Sequence, residues 1–557
     1  MKAKLNLEGI FLVVFFFFLL WAGLAALWDH RINHDFPYAY MASDGFQHQV
    51  RADSIKQMGN YRYEAPYIAG GFKDAIGFYP PLMYHLDVIM SNLSGIEIYD
   101  ISYFLVFVFL GFGSLTFYFI IRKFNKNIAL ISLPLSLLLF SKGPGIGPYA
   151  LITWGSWPLI FGHFFLICFF WYFQNMNIKH SWIFLGIFLS ALALQHQSEL
   201  FFVFVFIGII LIFWLIRKDL SFDKIRSMAF GGILFIILSI YYLIIFRFTL
   251  MESQKVNFFE VVKTTTTDQT LYFSNFGIIG FLIIGGIILS LFLIKKKHPM
   301  PMMVSFFMFL VGYGNYIGFN RHAFKTRCLW PIYLSVFMAI SLFYLIKLIV
   351  KRWKIYYSIS VAIILAVILS GIIKIPYIPH SQRFTSPGIM DRHHWDALVW
   401  VRHNTPQDTK ILFLYGDPYN QNALLRNTFR VPYMVKTKAE ILPNIENRTI
   451  KRNMLINLLG DHHGVYYAYR KSLFDYGYHA KEMGDDYFYN KKRDICSFDY
   501  IIFDKASMQP VLAQYNLLIA NKLLNNSNIK IAYENQIVAV LNNENPGGDC
   551  IENQTSF

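Results

Sequence analysis

Asp44 and His48 stand four residues apart in Ala42-Ser43-Asp44-Gly45-Phe46-Gln47-His48, a run that leads into a helical pattern through Met58. On a helix, positions i and i+4 share a face. A carboxylate beside an imidazole can take a proton from an acceptor hydroxyl, orient that hydroxyl or help to ligate a divalent ion. Ser43 or Asp44 also suits the N-cap of the helix, a purely structural use. Further on stands Gly77-Phe78-Tyr79-Pro80-Pro81-Leu82-Met83-Tyr84-His85, where the double proline forces an extended entry into a helix. Leu82 to Leu93 is apolar but too short to span a bilayer, so it suits a helix at the interface. In that setting Tyr79 reads as a belt residue and His85 and Asp87 as surface polar groups.

Asp44 and its neighbours must be positioned by a membrane. The 557 residues are 55% hydrophobic and 15% charged, where a soluble chain carries about 25% charge. Uncharged runs such as Gly9–Trp28 recur at the length, about 20 residues, that a helix needs to cross the hydrocarbon core. Eleven spans are expected, at roughly 9–28, 101–121, 127–141, 154–173, 181–195, 199–216, 228–248, 273–294, 299–318, 328–346 and 355–374. The net charge of +16 does not point to nucleic acid, because many basic residues sit in short loops between apolar runs. Lys2, Lys4, Arg122, Lys123, Lys126, Lys179, Arg217, Lys218, Lys295–Lys297, Lys347 and Arg352 share one side, cytoplasmic by the positive-inside rule. The opposite side holds a loop from Asp29 to Asp100 with nine acids against five bases. A multi-pass plasma-membrane protein is expected, with its N-terminus cytoplasmic and its C-terminus outside. The sequons starting at Asn92, Asn447, Asn525 and Asn553 then lie outside.

A first span, an outer loop with an Asp soon after it, and Tyr-Pro-Pro-Leu before an apolar helix resemble the GT-C class of membrane glycosyltransferases. Three more segments agree. Ala193-Leu194-Gln195-His196 before an apolar helix looks like the Leu-Leu-Thr-His corner of prokaryotic members. The run Arg321-His322-Ala323-Phe324-Lys325-Thr326-Arg327 is similar to their outer basic segment. Trp395-Asp396-Ala397-Leu398-Val399-Trp400-Val401-Arg402-His403-Asn404-Thr405-Pro406 resembles the opening of their outer domain. The resemblance implies transfer of a sugar from a polyprenyl-phosphate (lipid-linked) donor in the membrane lipid to a glycan, lipid or protein acceptor, with inversion. It implies Asp44 as base and Arg321, Lys325 and Arg327 as cations for the donor phosphate, although these three also suit snorkelling anchors. His48, Asp53 and Glu64 are acceptor or metal candidates, and Tyr79, His196, Glu199 and His322 further site candidates. His196 and Glu199 equally suit the cap of a tight turn. A divalent cation, magnesium or manganese, is a candidate cofactor. The Trp-Trp-Asp-Tyr-Gly motif of oligosaccharyltransferases is missing, which favours transfer of one sugar over transfer of a whole glycan to Asn. The alternatives are a transporter or flippase of lipid-linked or polysaccharide substrates, or a non-catalytic protein of the same fold.

The chain divides near residue 377 into this membrane part, 1–377, and a soluble α/β domain, 378–557. Strand-like runs at Lys410–Leu414, Tyr500–Phe503 and Ile529–Leu541 alternate with helical stretches at Met390–His403 and Ala513–Leu524. No glycine-rich fingerprint marks a nucleotide site, so no nucleotide cofactor is expected. His393 and His394 read as part of a solvated linker. Cys168 and Cys328 suit inert packing positions, whereas Cys496 and Cys550 could pair in an exported domain.

Overall fold

The computed structural model describes residues 6–28, 33–37, 40, 43–60, 64–68, 79–140, 150–153, 155–252, 276–294, 299–317, 326–350, 352–371, 392–414, 425–435, 456–457, 494–505 and 510–551. Its helices are α1 Leu7–Trp28, α2 Ser43–Met58, α3 Leu82–Ser94, α4 Ile98–Phe124, α5 Lys126–Ser132, α6 Trp157–Gln174, α7 Ser181–Gln195 and α8 Gln197–Arg217. They continue as α9 Phe222–Glu252, α10 Ile278–Leu293, α11 Met300–Val311, α12 Ser335–Ile349, α13 Ile355–Ser370, α14 Arg392–Asn404 and α15 Pro510–Leu524. Short helical turns at Ala150–Thr153 and Trp330–Tyr333 precede α6 and α12.

Among the described residues six helical stretches are long and apolar enough to cross a membrane: Leu7–Leu24, Ile98–Phe124, Trp157–Gln174, Ser198–Arg217, Phe222–Ile244 and Trp330–Ile349. The other five expected spans coincide with shorter apolar helices, at Lys126–Leu139, Ser181–Gln195, Ile278–Leu293, Met300–Val311 and Ile355–Ser370. Ile233, Ile236, Ile237 and Ile240 on α9, and Phe281, Leu291 and Phe292 on α10, are exposed. Such faces are stable against lipid and costly against water. The chain is a multi-pass helical membrane protein. Glu8 in α1 pairs with Arg122 at the end of α4 and with Lys126 at the start of α5, tying three helices together at one end of the bundle.

At the other end stands a six-stranded mixed sheet: β1 Lys410–Leu414, β2 Val431–Val435, β3 Ile456–Asn457, β4 Tyr500–Asp504, β5 Ile529–Glu534 and β6 Val538–Asn543, in the order β3-β2-β1-β4-β6-β5. β1 pairs in parallel with β2 and β4; the remaining pairs are antiparallel. Strand alternation splits the side chains between two cores. Ile411, Phe413, Ile502, Val538 and Val540 pack with Trp395, Leu398 and Val401 of α14, in a core continuous with the membrane bundle. Leu412, Leu414, Ile501, Phe503, Ala539 and Leu541 pack with Ile519 and Leu523 of α15. Cys496 and Cys550 close a disulfide beside this second core, while Cys168 and Cys328 are buried free thiols.

His394 corrects the reading of a solvated linker. It is buried in α14, and its Nε2 lies 2.7 Å from Asp504 Oδ1 at the end of β4. A buried imidazole needs such a partner. The single run expected over Ile529–Leu541 is two strands. Asn535 breaks it by accepting from the Ile537 and Val538 amides.

Candidate active site

Asp44 lies in the first turn of α2, half-buried. Its place is set by backbone contact. Gly155, just before α6, has φ +77°, and a Cβ there would stand 2.1 Å from the Gly45 nitrogen and 2.9 Å from the Asp44 carbonyl carbon. Only glycine permits this combination of left-handed backbone and close approach. Gly45 is also covered, because a Cβ on it would meet Tyr40 at 2.9 Å and Trp157 at 3.3 Å. Those two rings pack edge to face at 4.8 Å, and the Trp157 indole donates to Ile152 O at 2.9 Å. The start of α2 is therefore wedged between the start of α6 and Tyr40.

One turn along, His48 is buried, and its Nδ1 shares a 2.9 Å hydrogen bond with the Tyr84 hydroxyl of α3. Its ring lies 5.5 Å from that of Tyr79, over which the Arg51 guanidinium sits at 5.1 Å. The residues flanking Pro80-Pro81 thus pack on the helix that carries Asp44. Asp87 is not the surface group expected of α3. It is fully buried and accepts from Ser102 of α4 at 2.7 Å; burial pushes its carboxyl up to about 8. Asp53 accepts from Gln49 Nε2 at 2.8 Å, and burial, opposed by Arg402 and this hydrogen bond, pushes its carboxyl up to about 6. Gln49 also donates to Asn427 Oδ1 at 2.8 Å, so α2 reaches the C-terminal region. Glu64 lies 3.8 Å from Arg51.

The three acceptor or metal candidates therefore have different partners: His48 has Tyr84, Asp53 has Gln49 and Glu64 has Arg51. Among the described residues no three or more His, Cys, Asp or Glu side chains group as a metal site.

Glu199, near the start of α8, is buried between two imidazoles. Its carboxylate lies 2.5 Å from His196 Nδ1 and 3.2 Å from His163 Nε2 of α6, and His163 Nδ1 bonds Tyr333 OH at 2.8 Å. His163 and Tyr333 went unnoticed in the sequence because each sits inside an apolar run far from Glu199. Arg321, His322 and Lys325 lie outside the described residues. Arg327 is only 1% exposed, between buried Thr326 and Cys328.

A cavity of about 530 Å³ opens where the first long loop meets α14, lined by Asn33, His34, Asp35, Glu97, Tyr99, Trp395, Val399, Arg402 and His403. Arg392 closes one flank through a 2.7 Å ion pair with Asp35. The Trp395 indole donates to Asp35 O at 3.1 Å and its ring lies 6.4 Å from Phe46, two residues after Asp44.

No protein-family profile and no curated protein sequence matches the chain. Solved structures do. The apo oligosaccharyltransferase of Archaeoglobus fulgidus is 14% identical, with TM-score 0.53 over 94% of this chain and 73% of that one. ArnT from Cupriavidus metallidurans, bound to undecaprenyl phosphate, is 10% identical, with TM-score 0.53 over 97% of this chain and 98% of that one. The mycobacterial arabinofuranosyltransferase AftD is 9% identical, with TM-score 0.52 over 97% of this chain but 40% of its own length. The chain has a GT-C-like fold with a C-terminal α/β sheet.

Proposed function

We propose that this protein is an inverting membrane glycosyltransferase that uses a polyprenyl-phosphate-linked sugar. The observation that carries the reading is the fold likeness along nearly the whole chain to a transferase-type structure holding a polyprenyl phosphate, ArnT with undecaprenyl phosphate. Archaeal oligosaccharyltransferase has likewise been seen with dolichol phosphate and an inhibitory peptide. The wedged start of α2 supports Asp44 as the base.

In the proposed step the acceptor hydroxyl attacks the anomeric carbon. The new bond joins the acceptor oxygen to that carbon while the carbon–oxygen bond to the phosphate breaks. The polyprenyl phosphate leaves with the electron pair, and Asp44 takes the hydroxyl proton. Arg321, Lys325 and Arg327 are assigned to the charge that develops on the phosphate. The ring-packed elements around Trp157 and Tyr40 keep Asp44 at a fixed height, and a base held in place contributes through orientation. No step is routed through a metal. Zinc and sulfate were present with the archaeal enzyme, whereas His48, Asp53 and Glu64 here are paired with Tyr84, Gln49 and Arg51.

Orientation follows the loop charges: the Arg122 and Lys126 end is cytoplasmic and the sheet lies outside the plasma membrane. The disulfide agrees, since such bonds persist in oxidising compartments. The division at residue 377 assigns 378–557 to an outer domain that covers the acceptor side.

The test is release of polyprenyl phosphate by purified protein from lipid-linked sugars, compared with Asp44→Asn. Loss of transfer in the variant is expected. Equal turnover by wild type and variant overturns the role of Asp44. Substrate flux across proteoliposomes without transfer overturns the enzyme reading in favour of transport.

A further inference from the structure

The cavity at the junction of the first long loop and α14 has no role in the step above. Its lining alternates acceptors and donors: the Asp35 and Glu97 carboxylates stand with Asn33, Arg402 and His403. Glu97 is exposed, so its carboxylate is accessible to a solute, whereas the exposed Asp35 carboxylate is already ion-paired with Arg392. Arg402 is held from behind. Its Nε donates to Asn427 O at 2.8 Å and its guanidinium lies 4.0 Å over the Phe429 ring. Its Nη2 is buried and makes no hydrogen bond among the described residues. A buried guanidinium nitrogen left without an acceptor is costly. Tyr99 and Trp395 give the cavity an aromatic floor, with ring centroids 5.6 Å apart.

We infer that this cavity binds a neutral saccharide, the acceptor end of a glycan. This rests on the transferase reading and names its acceptor. A sugar hydroxyl is both donor and acceptor, so it matches a wall that mixes carboxylates with guanidinium, amide and imidazole groups. A phosphate would face the Glu97 carboxylate, with Asp35 beside it paired to Arg392. An apolar peptide side chain would find Val399 and two rings against six polar lining residues. The volume of about 530 Å³ lies within the range, roughly 300–1,000 Å³, of small-molecule sites. Placement favours the acceptor over the donor: the cavity sits on the sheet side, and its Trp395 packs against Phe46 of the Asp44 helix.

The test uses full-length protein in nanodiscs and saturation-transfer NMR with methyl hexosides and short neutral oligosaccharides. A sequon-containing peptide and inorganic phosphate are run as competitors. Saccharide binding by wild type and by Asp44→Asn is expected, weakened about tenfold or more in Glu97→Gln and His403→Ala, as loss of a charged or strong hydrogen bond implies. The bound oligosaccharide should also accept the transferred sugar, with KM rather than kcat raised in Glu97→Gln. The inference fails if no neutral saccharide binds, if both variants bind as wild type does, or if the peptide displaces the saccharide and serves as acceptor. Transfer with an unchanged KM in Glu97→Gln sinks the cavity's role and leaves the transferase standing. Saccharide binding without any transfer sinks the transferase reading instead.

Discussion

Gly155→Ala tests the positioning of Asp44 without touching its carboxylate. Two effects follow from the geometry. Alanine at φ +77° costs about 1–2 kcal/mol as a left-handed non-glycine residue. Separately, the new methyl would stand 2.1 Å from the Gly45 nitrogen, where ordinary contact begins at 3.4 Å. The start of α2 must therefore retreat by about 1.3 Å, the difference between the two. A displacement of about 1 Å at a reacting group costs on the order of 100-fold in rate. Gly59 at the end of α2 supplies the control. Its φ is +65°, yet nothing lies within 4 Å of a Cβ there. Gly59→Ala thus carries the same backbone strain without the clash. In detergent, Gly59→Ala should lose only the thermal stability that the backbone strain costs, Gly155→Ala more because of the clash, and only Gly155→Ala should lose transfer, by about 100-fold. If Gly155→Ala turns over lipid-linked sugar as fast as Gly59→Ala, Asp44 does not act from this wedged position.

Three further outcomes follow. Asp53 is raised from 3.8 to about 6 by burial, so the stability tied to its neutral form is complete below pH 4 and lost as pH rises through 6. Asp53→Asn should therefore raise the unfolding temperature at pH 7 and bring no gain at pH 4; equal gains at both would refute burial as the cause. Replacing Cys496 and Cys550 by serine removes a link across 54 residues and should cost about 4 kcal/mol, read as a lowered melting temperature that reductant no longer changes. Glu199→Gln leaves His163 and His196 without their carboxylate and should cost about 1.5–3 kcal/mol of bundle stability; an unaltered melting temperature would show that the cluster does not hold α6 to α8.

Helix and strand positions were legible where a local pattern suffices. The apolar runs locate the bundle, and Lys410–Leu414 and Tyr500–Phe503 coincide with β1 and β4, because burial on both faces demands continuous apolar residues. The Asp44–His48 spacing placed both residues on α2. Partners distant in sequence were hidden. His394 looks like linker until Asp504, 110 residues later, comes within hydrogen-bonding distance. Asp87 looks like surface until Ser102 meets it, and Glu199 looks like a turn cap until His163 meets it. Gly155 carries no signal of its own in the sequence, since its importance lies in what passes 2.1 Å from an absent methyl.

The Gln49–Asn427 hydrogen bond joins residues 378 apart. Synthesis at 5–20 residues per second separates their appearance by roughly 20–75 s. During that interval the helix bearing Asp44 is already made, but its second anchor is still unwritten. A nascent chain therefore sits among membrane lipids with an incompletely fastened centre. Closing this contact therefore waits on synthesis of the segment around Asn427, the late-arriving half of a clasp.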